Sequence, residues 1–545
     1  MKLKRTVLGP SLVAMVAFAS GGWLLQRGGA DGDPGFQQRV FQEVVQRLSN
    51  DYVEEYPSSK LYQMAVEGLL RELDDPHTSF MTAEEYNNLR VQTTGEYGGL
   101  GIQIAERDGW VTVISPLPGT PAERAGIQSG DRIVEVEGKS TKGWSSDDAV
   151  KVLRGPKGQA VEIKVARLGV DEPIRYRIVR EEIHVRSVDA AYLLEPGLGY
   201  ARLTLFAETS TDELREAIDR LRAQGMKGLV LDLRTNPGGL LDQGVAVSDL
   251  FMKQGQAVVE TRSRNPRESR TFRATHDELY PSMRMVVLVD EYSASAAEIV
   301  AGALQDHDRA LVVGAPTFGK GSVQTLLPLS GGNFLKMTTA KWHTPSGRSI
   351  QKEKSPARPG TSTVPVDADA ERQDSATAAA DTAVRRPYRT DGGRIVYGGG
   401  GIVPDLILKP DTLTALEKEF AAAVAKGGST FNNVLSRYAV EFVKQNPNLK
   451  ADFPVTPQMH AALLGRLRAA GLEISQAQYD ATRHLLDARL AYEIALRRFG
   501  QATAVQRDNE YDKVLRTAAE LLRSAPTQQS LFELSKARAR AQASR

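Results

Sequence analysis

The sequence predicts a multidomain α/β protein that carries a separate β-rich module, and three observations support that class. At 545 residues the chain exceeds what one hydrophobic core supports, so several modules are expected. Between Tyr97 and Leu168 short β-like runs are separated by Gly and Pro turns. From about 180 to 350 strand patterns alternate with helical ones, the texture of a sheet containing parallel strands.

The N-terminal segment, 1–30, sets Lys2, Lys4 and Arg5 before an apolar stretch from Val7 to Leu25, followed by Gly- and Asp-rich chain. That is the pattern of an export signal. The "AFA" at 17–19 suits cleavage, whereas an apolar stretch that continues through Trp23 is long enough to be retained as a membrane anchor. Either outcome places the protein in the periplasm or on the outer face of the cytoplasmic membrane. Over 35–95 two helices are expected to pack, one through Val40, Val44, Val45 and Leu48, the other through Leu61, Met64, Ala65, Leu69 and Leu70. The β-rich module, 96–170, contains "GIQIAE", "WVTVISPL", "DRIVEVEG" and "AVEIKVARL", with a helical "SSDDAVKVLR" before the last.

The α/β domain is expected over 180–351 and 398–410. Its strands are "GLGYARLTLF", "GLVLDLR", "MVVLVD" and "ALVVG", its helices "STDELREAIDRLRAQG" and the segment after Ser295, and "GIVPDLIL" reads as a return to the core. Residues 352–397 fill with Pro, Ser, Thr, Asp and Ala and read as a flexible insertion. From 411 to 545 the pattern is helical, a separate region to which periodicity assigns no purpose; its basic end "KARARAQASR" reads as a solvated terminus.

Composition narrows the chemistry. A net charge of +2 and 41% hydrophobic residues imply neither nucleic-acid binding nor wholesale disorder. The absence of cysteine excludes disulfides, thiolate metal sites and cysteine nucleophiles. There is no H-E-x-x-H, no G-x-S-x-G, and Ser295 is followed by "SAAE" rather than S-x-x-K. No cofactor or metal is called for.

The stretch "EYSASAAEIVAGALQDHDRA" raises the question of why small residues crowd a strand-to-helix turn: packing, or a nucleophile. A helix of ten to twelve residues travels roughly 15 to 18 Å, and the strand "ALVVG" returns about 17 Å, so the loop "APTFGKGSVQ" arrives near Ser295. This brings Lys320, between Gly319 and Gly321, into reach of the serine. A serine hydroxyl needs a base, and a lysine serves when desolvation lowers its pKa. Gln324, four residues on in an extended run, can hold the amine with its amide oxygen. The helix N-terminus supplies N–H groups where an oxyanion would form. In "GLVLDLRTNPGG" the loop at Gly238 and Gly239 either exposes a backbone N–H to a substrate carbonyl or is a plain Pro-Gly turn, and Asp232 reads as a structural partner. Each of these residues also has an ordinary structural use, as a cap, a solvated cation or a strand position. A pairing of Ser295 with His307 or His343 fits poorly, because "QDHDRA" falls at the far end of the helix.

Together "YSASAAEIVAGALQD", "VVGAPTFGKGSVQ", "LVLDLRTNPGG" and "GEYGGLGIQI" resemble, in order, the signatures of the carboxyl-terminal (tail-specific) processing proteases, peptidase family S41. The resemblance runs from about 35 to 352 and resumes at "GIVPDLIL". It implies a crotonase/Clp-like α/β serine protease core with an inserted PDZ domain, N-terminal helices and a C-terminal helical region. It implies Ser295 as nucleophile, Lys320 as general base, Gln324 as the residue that positions the lysine, and backbone oxyanion donors around Ala296 and Gly238 or Gly239. The β-rich module becomes the PDZ domain, with Gly99, Leu100, Gly101 and Ile102 as its carboxylate-binding loop, where successive N–H groups cradle a chain terminus. The implied partners are protein or peptide substrates with free C-termini, and the competing reading is a tail-binding scaffold that is inactive or needs a partner. Two departures stand out: the 352–397 insertion interrupts a segment that is usually shorter, and helical extensions like that from 411 occur in only some members, which makes homo-oligomerisation or adaptor binding the use the resemblance implies for them.

Overall fold

The computed structural model describes residues 34–352, 386–408 and 413–543. The expected signal or anchor at 1–30 and most of the 352–397 insertion lie outside the described residues. Among the described residues no helix is long and apolar enough to cross a membrane. The chain divides into two units, one running to Glu84 with Gln324–Thr338 added, the other comprising Glu85–Val323 and Thr339–Arg545.

In the first unit the helices Pro34–Asp51 and Ser58–Glu72 form as the periodicity predicts. Their apolar faces pack less than expected: Val45 and Leu61 are buried, but Val40, Val44, Leu48, Met64 and Leu69 stay exposed. The short strand Ser79–Met81 pairs antiparallel with the Phe334–Lys336 stretch, and Thr338 N–H donates to Thr78 Oγ1 at 3.1 Å.

The second unit is built on a six-stranded sheet: β1 (Val188–Glu195), β2 (Leu198–Leu203), β3 (Gly228–Asp232), β4 (Arg284–Val289), β5 (Leu311–Gly314) and β6 (Leu406–Ile407), in that spatial order. The β1–β2 pair is antiparallel and every later pair parallel, so "ALVVG" does return beside "MVVLVD", with Val287 opposite Val312. Strands rich in Val, Ile and Leu on both sides need both faces covered. On one face Leu229, Leu231, Val287 and Val312 pack under the helices Ser210–Ala223, Leu241–Asp249 and Ala296–Asp306. On the other, Tyr200, Val230, Val286, Leu288 and Val313 pack under Leu515, Leu521, Leu522, Leu531 and Phe532. The last helices, Lys513–Ser524 and Gln528–Ala543, are therefore a layer of the α/β core rather than part of a separate region, and the basic end is mostly helix.

The remaining C-terminal helices form their own core around Leu463, Tyr479, Leu490 and Ile494. The β-rich module is a sheet of Ile102–Arg107, Trp110–Pro116, Arg132–Val136, Ala160–Ala166 and Ile174–Val179, with Lys139–Ser140 beside the third. Its last strand lies beyond the expected boundary at 170. The helix Ser146–Leu153 covers it, begun by a Ser145/Asp148 capping box. Helix Thr430–Gln445 grips this module: Asn433 and Arg437 meet Asp108, Arg107 donates to Asn433, and Lys444 donates to the Leu168 carbonyl. The end of the expected insertion is ordered, because Pro387–Arg389 and Ile395–Tyr397 pair as a hairpin whose Arg394 is held by Asp308 and Asp405.

Candidate active site

β4 ends at Val289, and the chain turns through Asp290–Ala294 before the eleven-residue helix Ala296–Asp306. Ser293 Oγ ties this turn to the neighbouring strand by donating to the Leu233 carbonyl at 2.8 Å. Ser295 has φ 55° and ψ −115°, a conformation that costs a non-glycine residue of order 1–3 kcal/mol and persists where neighbours over-determine it. It is partly exposed between the buried Ala294 and Ala296. The small residues Ser293, Ala294, Ala296 and Ala297 are thus explained by packing, and in this run only Ser295 is left partly exposed.

The residue that organises the site is Glu298, which sequence reading passed over. Its carboxylate is fully buried. Oε2 accepts from the Ser295 N–H at 2.8 Å and from the Lys320 N–H at 2.9 Å. Oε1 accepts from Thr317 Oγ1 at 2.6 Å and from the Gly319 N–H at 2.7 Å. One carboxylate oxygen therefore holds the backbones of Ser295 and Lys320 side by side. Burial pushes the Glu298 carboxyl up to about 7, against the pull of the four donors. The signal was present in "SAAE", a Ser with Glu three residues on, which is a helix N-terminus signature.

The loop after β3 wraps the same turn. Gly238, at φ 94°, lies so close that a Cβ there would meet the Ala294 carbonyl at 2.6 Å and Ser295 Cβ at 2.7 Å. The Asn236 carbonyl accepts from Ala294 N–H at 2.9 Å, and Asn236 Nδ2 donates to the Leu203 carbonyl at 2.7 Å. Gly238 N–H donates to Asn236 Oδ1 at 2.8 Å, so the expected Gly238 donor is already engaged. Gly239, bridged to Phe206, and the N–H of Ala296 at the first helical position are left as the candidates beside Ser295. Asp232 is a buried structural partner: burial opposes its ionisation, but Arg234 prevails and holds it below the usual carboxylate range.

Gln324 belongs to the other unit, on the strand Ser322–Pro328, where its Nε2 donates to Thr338 Oγ1 at 3.2 Å. His307 caps the far end of the serine helix and is bound to Asp391 at 2.7 Å, away from Ser295. His343 is partly buried, and its pKa is lowered by that burial.

In the β-rich module Gly99 pairs with Glu181, and the Leu100 carbonyl accepts from Ala122 N–H at 2.9 Å. Gly101 has φ 75°, and its carbonyl accepts from Leu117 N–H and Thr120 Oγ1. Ile102 then opens the strand Ile102–Arg107, the sheet's edge strand, against which helix Ser146–Leu153 packs. Buried Arg180 fixes that helix by donating to the Val152 and Leu153 carbonyls. A tight loop leading into an edge strand beside a helix is a groove suited to an added peptide strand.

Two family models match this chain: peptidase family S41 over residues 197–358 and PDZ domain over 88–166. The chain is 42% identical over 315 residues to a carboxy-terminal-processing protease of Bartonella bacilliformis, covering 57% of this chain and 72% of that protein. It is 36% identical over 328 residues to the carboxy-terminal processing protease CtpA of Bacillus subtilis, covering 60% and 69%. Among solved structures it is similar to the photosystem II D1 C-terminal processing protease, at 32% identity and a TM-score of 0.33, covering 58% of this chain and 90% of that one.

Proposed function

Since the chain belongs to the carboxy-terminal processing proteases of peptidase family S41 and carries a PDZ domain, we propose that it is an exported serine endopeptidase that captures protein C-termini and cleaves with Ser295 and Lys320. The observation that most supports this reading is the single Glu298 oxygen shared by the Ser295 and Lys320 amides, which sets the backbones of these two residues side by side. The neutral Lys320 amine takes the hydroxyl proton as Ser295 Oγ attacks the scissile carbonyl carbon. The N–H groups of Ala296 and Gly239 receive the oxyanion, aided by the positive end of the helix Ala296–Asp306. Collapse expels the new amine terminus, which accepts the proton from Lys320. A water then repeats the sequence on the acyl-enzyme and frees Ser295.

The PDZ domain holds the substrate's terminal carboxylate at Gly99–Ile102, and the tail adds as a strand along Ile102–Arg107. Export rests on the charged and apolar pattern of 1–30. The test is cleavage of an unstructured protein with an apolar tail by wild type, Ser295→Ala and Lys320→Ala, with the C-terminally amidated substrate alongside. Loss in both variants, and slower cleavage of the amidated form, is the expected result. Binding of the free tail without any cleavage by wild type would instead assign a tail-binding scaffold.

A further inference from the structure

We infer that Asp512, in the C-terminal helices and well outside the matched peptidase segment, is a positioning residue for the peptidase reaction, acting through Arg234 on the loop that carries the oxyanion donors. The inference rests on the proposed roles of Ser295 and of that loop. Asp512 caps the helix Lys513–Ser524 with one oxygen, Oδ1 accepting from Leu515 N–H at 2.9 Å. Its other oxygen meets Arg234 Nη1 at 2.7 Å. The rest of the guanidinium is bound by Asp232, through Nε at 2.9 Å and Nη2 at 2.6 Å, and Tyr200 Oη donates to the same Asp232 at 2.8 Å. Arg234 is thus clamped between two carboxylates. Asp232, two residues earlier, is the last residue of β3 and holds the guanidinium from the sheet; Asp512 comes from another layer of the domain and anchors it from outside.

The two residues after Arg234 give such an anchor its importance. Thr235 is held at φ 55°, a strained conformation for a β-branched residue, with its N–H on Asp290 Oδ1 at 2.9 Å. Asn236 comes next, bonded at once to Ala294 and Gly238, so that a shift of Arg234 is passed within two residues to the Ser295 turn. A strained turn relaxes when one of its ends is released. Here one end is Asn236 and the other is the Asp512-bound guanidinium.

The experiment compares full-length wild type, Asp512→Asn, Arg523→Ala and Ser295→Ala. Asparagine keeps the N-cap and removes the charge facing Arg234. The expected result for Asp512→Asn is a kcat lower by roughly 10- to 100-fold with KM unchanged, as for a misplacement transmitted to the reacting centre. Arg523→Ala breaks the exposed Arg523–Glu195 pair at the other end of the same helix and is expected to leave kcat within about twofold. Folded fraction is read by circular dichroism at the assay temperature. A wild-type kcat in Asp512→Asn, an equal loss in Arg523→Ala, or a loss matched by unfolding would overturn the inference. Ser295→Ala separates the two claims: cleavage by that variant defeats the nucleophile assignment itself. An inactive Ser295→Ala beside a fully active Asp512→Asn defeats only the role given to Asp512.

Discussion

Glu298 meets four donors with two oxygens, a pattern that only a carboxylate satisfies completely. Glutamine has the same shape but one acceptor oxygen, so Glu298→Gln turns an NH2 group toward either the Ser295 and Lys320 amides or Thr317 and Gly319. A buried donor facing donors costs about 1–3 kcal/mol. The backbones of Ser295 and Lys320 then separate, and under the proposed mechanism kcat should fall on the order of 100-fold. Wild-type kcat in that variant would show that the clamp is dispensable. The same carboxyl predicts a pH dependence of stability. Its pKa is about 7 when folded against 4.5 as the ordinary value, so between these pH values the folded chain keeps a proton that the unfolded chain has lost. Stability contributed by Glu298 is therefore full below about 4.5, declines as pH rises through this window, and levels off above 7, by about 3 kcal/mol at 1.36 kcal/mol per unit. Urea unfolding of wild type and Glu298→Gln at the two ends of the window should show their difference shrinking by that order, and a constant difference would refute the raised pKa.

At the scale of elements, the proposed tail groove depends on a loop and an edge strand that only glycine can join. A Cβ on Gly101 would sit 2.3 Å from Thr120 Cβ, at a φ of +75° that strains any L side chain. Gly101→Ala should weaken binding of a free-tail peptide by about 10-fold or more, the loss of roughly one well-placed charge-assisted hydrogen bond, measured by fluorescence anisotropy. Unchanged binding would move the groove elsewhere. The two strands after this loop, Ile102–Arg107 and Trp110–Pro116, were legible because Ile and Val recur at alternate positions, and the serine helix because small apolar residues continue for three turns. "IRYRIV" also alternates, yet as the sheet's outer strand its membership is settled by pairing with Ala160–Ala166, a contact that local pattern does not encode. The hairpin ending the insertion was hidden for a related reason: its strands are three residues each and are held by Arg394 reaching Asp308 and Asp405. The Ser-x-x-Glu signature announced a helix start, but the sharing of that glutamate with Lys320 is a fact of tertiary structure.

For the molecule as a whole, helical periodicity after 411 showed that an apolar face would be covered and left open by what. The structure answers that the final helices cover the sheet itself, and this alters what truncation should do. Removing the chain from 411 onward would uncover Tyr200, Val230, Val286, Leu288 and Val313 on the sheet and take away Leu515, Leu521, Leu522, Leu531 and Phe532 packed against them. Burial of each such side chain contributes roughly 1.5–3 kcal/mol. The loss is thus comparable with the whole stability of a domain, about 5–15 kcal/mol. The same cut removes helix Thr430–Gln445 from the PDZ hairpin and Asp512 from Arg234. A truncated chain should therefore aggregate, or bind a dye specific for exposed apolar surface, and show no cooperative melting by circular dichroism. Had the region served only to join subunits, the same chain would be soluble, smaller by light scattering and still cooperatively folded. That second outcome would contradict the layered packing, because a parallel sheet stripped of one helical face has no other way to keep its apolar strands from water.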